Sequence, residues 1–313
     1  MANAYTFNMV EDVHNMSVTE IIRDNLLGFV DWGLIDNGGF MNVTLPTSGA
    51  YGGNYSRLRP SLDARFQNGQ VWEGFRKNWV WESGLTDSPI RISGVYVNGT
   101  FQPTSAGGHH INYPLGRVVF DSPISTSAIV NCEFSVKTVQ VFDLDKSPEL
   151  KEIHNGSFRI DDNTFFSSSG NWTIPTDNKI QLPAVGLKVG GRSWMKPYQI
   201  GGGHWKYNEV YAYVFSRDES WGNRLADYIS YQEEKTINLF DCNQMNEDGF
   251  KSLDYKGSVS ANPQTYFELV QPSSYAYKTL TLKDIEVLNG QMIGSNVYYN
   301  VVKIITEVTM GSD

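Results

Sequence analysis

Tyr113-Pro-Leu-Gly-Arg-Val-Val-Phe-Asp-Ser-Pro-Ile124, followed after a short polar gap by Ile129-Val-Asn-Cys-Glu-Phe-Ser-Val-Lys-Thr-Val-Gln-Val-Phe142, is the stretch on which the reading of the fold turns. It reads as a short strand, a turn built on Ser122-Pro123, and a long strand hairpinned against the first. In the long strand Val130, Cys132, Phe134 and Val136 fall on one face, and Asn131, Glu133, Ser135 and Lys137 on the other. That is the period of two expected of a half-buried strand. The alternation slips at Thr138-Val139, which predicts a bulge or a change of neighbours. No side chain in the stretch belongs to a reactive set.

Working outward, Ile90 to Val97 reads as a further strand, and Asn98-Gly99 is a strong hairpin turn, with the return strand starting at Thr100-Phe101. In the second half, strands are predicted at 185–189, 209–215, 236–240, 279–287 and 297–308. The last is apolar on both faces over much of its length, so a central or interface position is expected. Two helices carry capping signals. Ser17-Val-Thr-Glu20 is a capping box ahead of Val18, Ile21, Ile22, Leu26, Phe29 and Val30, which share one helical face. Ser216-Arg-Asp-Glu219 repeats the device before a helix over about 217–235 that places Trp221, Leu225, Tyr228 and Ile229 together.

The fold class that follows is α+β and β-rich. Antiparallel hairpins in a sandwich-like arrangement form the N-terminal half, and one helix packs on a sheet in the C-terminal half. Three regions are expected: 1–70 as an N-terminal helix and long loop arm, 71–147 as a β-rich domain, and 148–313 as the α+β domain. Residues 33–70, rich in Gly, Asn, Ser and Pro, read as one long loop, easiest to explain if it packs against a neighbouring subunit.

Composition narrows the function. Charged residues are 19% of the 313, below the usual quarter, and aromatics reach 13%. A net charge of −9 argues against a chain that grips nucleic acid through a basic stripe, although DNA could slide past such a surface. The two cysteines, Cys132 and Cys242, rule out a disulfide framework by number and fit a reducing compartment. Cys132 reads as a small buried thiol. The opening Met1-Ala-Asn-Ala-Tyr-Thr-Phe7 lacks a charged segment followed by an apolar core, so no secretory leader is expected. No run is long and apolar enough for a membrane helix.

Candidate chemistry is sparse. His109-His110 has no further His or Cys at a metal-binding spacing, and Gly201-Gly-Gly-His-Trp205 lacks the Lys-Ser or Lys-Thr of a phosphate loop. Asp143-Leu-Asp145 and Asp161-Asp-Asn163 lack the spaced oxygen ligands of a calcium loop and read as turn acids. No Gly-x-Ser-x-Gly elbow is present, and nothing selects a carboxylate pair. Neither a catalytic residue nor a cofactor or metal site is therefore expected. The aromatic segment 71–82 remains. Trp72, Phe75, Arg76, Trp79 and Trp81 are residue types that anchor cores and subunit contacts, and they are taken as subunit-interface candidates.

Three blocks carry a resemblance. The first is Asp31-Trp-Gly-Leu-Ile-Asp-Asn-Gly-Gly-Phe40 with Leu45-Pro-Thr-Ser-Gly-Ala-Tyr-Gly-Gly53. The second is Gly69-Gln-Val-Trp-Glu-Gly-Phe-Arg76 with Trp79-Val-Trp-Glu-Ser-Gly84. The third is Gly94-Val-Tyr-Val-Asn-Gly99 with His110-Ile-Asn-Tyr-Pro-Leu-Gly-Arg-Val-Val-Phe-Asp121. The chain resembles virion structural proteins of tailed bacteriophages of the marine and cyanophage type. The strand, capped helix and strand over 209–240 is similar in pattern to tail-completion and tail-terminator proteins. The resemblance implies a non-enzymatic neck or head–tail connector component, a homo-oligomeric ring around the DNA channel. Its partners would be further copies of itself, neighbouring neck, portal-adaptor or tail proteins, and DNA that passes without specific binding. The expected location is the virion, with no membrane involved. The hairpin over 113–142 is also similar to one in baseplate and tail-hub proteins, so a baseplate, tail-tip or receptor-binding role is the alternative.

Overall fold

The computed structural model describes residues 18–45, 55–83, 89–146, 181–199, 202–240, 253–261, 266–271, 279–293 and 297–310. Helix α1 (Val18–Asp36) is followed by the short strands β1 (Phe40–Val43), β2 (Arg57–Pro60), β3 (Val71–Glu73), β4 (Trp79–Val80), β5 (Gly94–Val97) and β6 (Thr100–Pro103). Next come β7 (His109–Asn112), β8 (Arg117–Phe120), β9 (Val130–Asn131), β10 (Phe134–Lys137) and β11 (Gln140–Asp143). The second half contains β12 (Ala184–Gln199), β13 (Gly202–Ser216), α2 (Glu219–Ser230), β14 (Thr236–Asn238) and the one-turn α3 (Tyr266–Leu269). Two long strands, β15 (Thr279–Ile293) and β16 (Val297–Met310), complete it.

The N-terminal half is sandwich-like, as expected. A seven-stranded sheet, β6-β5-β9-β2-β3-β8-β7, and a three-stranded sheet, β1-β10-β4, contribute to one core. Leu58, Trp72, Val95, Ile111, Val118 and Val130 come from the first sheet, and Val43, Trp79, Val80, Phe134 and Val136 from the second. The β5–β6 hairpin forms at the expected turn. Asn98 and Gly99 both take positive φ, 49° and 82°, the conformation that suits Asn-Gly.

The stretch from Tyr113 to Phe142 does not form its expected hairpin. β8 pairs with β3 and β7, whereas the long strand is divided into three pieces that join different sheets. β9 pairs with β2 and β5, β10 with β1 and β4, and β11 lies parallel to β12. The slip at Thr138-Val139 is the hand-over point. Thr138 donates its amide to Gly39 at 2.8 Å, while Gln140 donates to Pro183 at 3.0 Å. Alternation does its part, for Val130, Cys132, Phe134 and Val136 are all buried. It says nothing about which strand sits alongside, so one periodic run could be shared among three sheets.

The six-stranded sheet has the order β11-β12-β13-β16-β15-β14. β16 is central, flanked by β13 and β15 along its whole length, as its apolar character predicts. One face carries Val185, Leu187, Val210, Ala212, Val214, Val302, Ile304 and Val308, and both long helices close over it. α1 contributes Ile21, Ile22, Leu26 and Val30, and α2 contributes Leu225, Ala226 and Ile229.

Two sequence expectations change around the helices. Residues 33–70 are not one loop: α1 continues to Asp36, and β1 and β2 lie within the range. α1 is not part of an arm either. Its first turns bury into the six-stranded sheet, while Trp32 and Ile35 join the N-terminal core. Its proposed cap, Ser17, lies outside the described residues. In α2 the cap is Asp218, whose side chain accepts from the Trp221 amide at 2.8 Å, and Ser216 instead donates to the Asp218 carbonyl. The buried stripe runs through Gly222, Leu225, Ala226 and Ile229, leaving Trp221 and Tyr228 about half exposed. α2 stops at Ser230 rather than near 235. Glu234 and Lys235 are drawn into strand-like bonds with Leu282, which compete successfully with another helical turn.

Candidate functional site

The five interface candidates from the aromatic segment lie inside the chain's own fold, and that expectation is corrected. Trp72, Phe75 and Trp79 are at most 1% exposed, and Trp81 is 6% exposed. Trp79 stacks on Phe134 with centroids 4.4 Å apart, and its indole N–H donates to the Arg76 carbonyl at 2.9 Å. The Trp72 indole donates to Gly69 at 3.0 Å. Trp81 meets Trp32 and Tyr113 edge-on, at 5.6 and 5.7 Å. Short strands supply few side chains each, so large rings fill the space between sheets.

Arg76 is a clamp on the chain's own crossover. Its guanidinium donates to the carbonyls of Lys137 (2.8 Å), Thr138 (2.9 Å) and Leu182 (3.3 Å), tying the β10–β11 hand-over to the start of β12. Burial pulls its pKa down to about 10. The cleft beside it, about 370 Å³, is bordered by Met41, Lys137, Arg217, Asp218 and Trp221. Its two deepest cations are already engaged, Arg76 on carbonyls and Lys137 on Asp31.

The remaining sequence candidates stay apart. Burial lowers the pKa of both His109 and His110. His109 packs on Phe120 with centroids 5.7 Å apart. Among the described residues no three His, Cys, Asp or Glu side chains converge as a metal site would require. Asp143 accepts from the Asp145 amide at 3.0 Å and pairs with Arg23 at 3.2 Å, the behaviour of a turn acid. Asp161, Asp162, Asn163, Cys242, His14 and His154 lie outside the described residues.

What the sequence reading did not single out is the second face of the six-stranded sheet. On β13, Trp205, Tyr207, Glu209, Tyr211, Tyr213 and Phe215 alternate with the residues that meet the helices. One end of this face is closed by Leu144 and Leu182, which pack with Ala184, Phe215 and Val297. Toward the β12–β13 turn it carries a layered stack. Trp194 lies on Tyr207 with centroids 5.3 Å apart and planes 9° from parallel. The Arg192 guanidinium caps Trp194 at 4.9 Å, and the Lys196 ammonium caps Tyr207 at 5.3 Å. Burial and the neighbouring Glu307 carboxylate push the Tyr207 phenol up to about 12. Glu209 is flanked by Lys303 at 3.3 Å and Arg192 at 3.8 Å, so the face is a grid of rings and alternating charge.

This stack lies near the β12–β13 turn, within a sheet that β16 continues alongside β13 as far as His204. Arg192, Ser193, Met195, Lys196 and Pro197 are exposed on both sides of the sheet. Aromatic and Arg anchors on a partly exposed element are the composition of protein-contact surfaces rather than of a closed reaction cleft. The signal was present in sequence as Arg192-Ser-Trp-Met-Lys196, but only strand pairing brings Tyr207 under Trp194. No protein-family model matches the chain, and comparison with curated proteins returns no relative. No helix among the described residues is long and apolar enough to cross a membrane.

Proposed function

We propose that this chain is a non-enzymatic structural subunit of a tailed-phage virion, built into a homo-oligomeric ring at the neck, where it completes or terminates the tail. The observation that carries the reading is the six-stranded sheet. Helices cover one face, while the other presents partly buried rings and alternating charge, a surface suited to protein contact. The sequence blocks at 31–53, 69–84 and 94–121 supply the phage resemblance. A net charge of −9 suits a channel through which DNA slips without sticking. The partners are further copies of the chain and the neighbouring neck, portal-adaptor or tail proteins.

The exposed cations Arg192 and Lys196 around the partly exposed Trp194 are the feature that favours the second reading, a baseplate or tail-tip protein whose β12–β13 turn region meets a receptor. A cryo-EM map of the intact virion separates the two. Density for this fold in a ring between portal and tail is the expected result. Density at the distal tail or on a fibre overturns the neck assignment in favour of the second reading.

A further inference from the structure

We infer that the two outer edges of the six-stranded sheet bind each other between copies of this chain, with β15 of one copy adding antiparallel to β12 of the next. This rests on the ring reading above and names the surface that closes such a ring.

Among the described residues, pairing leaves both edges half open, at opposite ends. β11 engages β12 only over Ala184–Leu187, and β14 engages β15 only over Thr279–Thr281, extended by the Leu282–Lys235 bond. Beyond these points, among the described residues, neither 188–199 nor 283–293 has a strand on its outer side. A long open edge is a template for another strand. Within one copy Ser193 stands level with Asn208, Thr306 and Leu282, whereas Leu288 stands level with Val301, Tyr213 and Gly186. Open edge meets open edge, then, when neighbours are staggered by roughly 20 Å along the strands. Stagger of this kind is what closing a sheet into a barrel demands.

Direction agrees. β12 runs parallel to β16 and β15 antiparallel to it, so a rotation that preserves strand direction sets β15 antiparallel to the neighbour's β12. The two edges differ, so the contact is head-to-tail and builds rings rather than isolated dimers.

Charge and apolar surface agree as well. β12 carries Lys188, Arg192 and Lys196 with no acid, whereas β15 carries Asp284 and Glu286. Its one cation, Lys283, already faces Glu307 at 3.9 Å. Register puts Lys196 and Glu286 on the face away from the helices, and the stagger that sets Met195 level with Val287 brings Lys196 over Glu286. On the other face the half-exposed Met195 of β12 would meet Val287 of β15, both 40–50% exposed in the isolated chain. Each edge thus matches the other in polarity, direction and apolar content, and a second copy is the occupant that supplies both.

The test is charge reversal on the full chain, read by native mass spectrometry and sedimentation. Arg192→Glu with Lys196→Glu makes both edges acidic; Asp284→Lys with Glu286→Lys makes both basic. Each double variant alone is expected to self-associate at least tenfold more weakly than wild type, while keeping the far-UV circular dichroism of the folded chain. An equimolar mixture of the two restores assembly, because each presents an edge complementary to the other. A wild-type chain that stays monomeric, a variant that assembles like wild type, or a mixture that fails to recover overturns the inference. In the virion map, a neck ring whose contacts lie elsewhere, or a foreign strand on either edge, overturns the edge pairing but leaves the neck reading intact. Edge-paired assembly by a chain absent from the neck does the reverse.

Discussion

Asn25 and Phe240, 215 residues apart, are joined by two hydrogen bonds. The Asn25 side-chain N–H donates to the Phe240 carbonyl and the Phe240 amide donates to Asn25 Oδ1, both at 3.1 Å. The Asn25 amide copies the donor–acceptor pair of a strand residue, so α1 is stitched to the segment just beyond β14. Asn25 is 1% exposed. Asn25→Leu keeps the branching at Cγ but removes both bonds in a buried place. The expected cost is about 2–3 kcal/mol in urea unfolding. Asn25→Asp keeps the acceptor and is expected to be no better, because it puts an acceptor against the Phe240 carbonyl.

Lys137 and Asp31 form a second buried link, between β10 and the end of α1, with side chains only 11% and 9% exposed. Lys137→Met strands the Asp31 carboxylate and should cost about 3–5 kcal/mol. Lys137→Met combined with Asp31→Leu should recover most of that loss. The comparison is a double-mutant cycle by chemical denaturation, and additive losses in the double variant would contradict a direct pair.

Trp79→Ala is expected to destabilise the fold by about 3–5 kcal/mol, since Trp79 is fully buried on Phe134. Trp221→Ala, at a half-exposed site on α2, should change the melting temperature little. Intact folding of the first variant would restore Trp79 as a surface anchor.

A pH effect follows from Glu82. Burial, with Glu268 adding to it and the Tyr266 amide opposing it, pushes its carboxyl up to about 7 from the ordinary 4.5. A raised carboxyl holds its proton more tightly in the folded chain than in the unfolded one. Its contribution is therefore full below the ordinary range, declines as pH rises through about 7, and is flat above. Urea midpoints for wild type should fall between pH 5 and pH 8, and Glu82→Gln should flatten that fall. At the acid end the sign reverses. The Arg65 guanidinium, with Arg117 behind it, holds Asp63 well below the carboxylate range, so its contribution is lost as pH drops.

A good deal of the secondary structure was legible because local rules govern it. Asn98-Gly99 can hardly be anything but a tight turn, and the two-faced apolar run from Val297 had to be central. The slip at Thr138-Val139 marked the hand-over between sheets. The aromatic segment misled, because Trp and Arg anchor cores and interfaces alike. Its indoles settle inside only when Gly69 and Arg76 offer them carbonyls.

By itself, then, the sequence determined the β-rich α+β class, both long helices, the tight turn and the central strand, since these depend on periodicity and on residue conformations read a few positions at a time. Only the tertiary structure decided that β8 and β9 never meet, that α1 serves two cores, and that Trp194 lies on Tyr207. Strand pairing joins residues far apart in the chain. An alternating pattern states which side of a strand is buried, but it carries no label for the neighbour that will bury it.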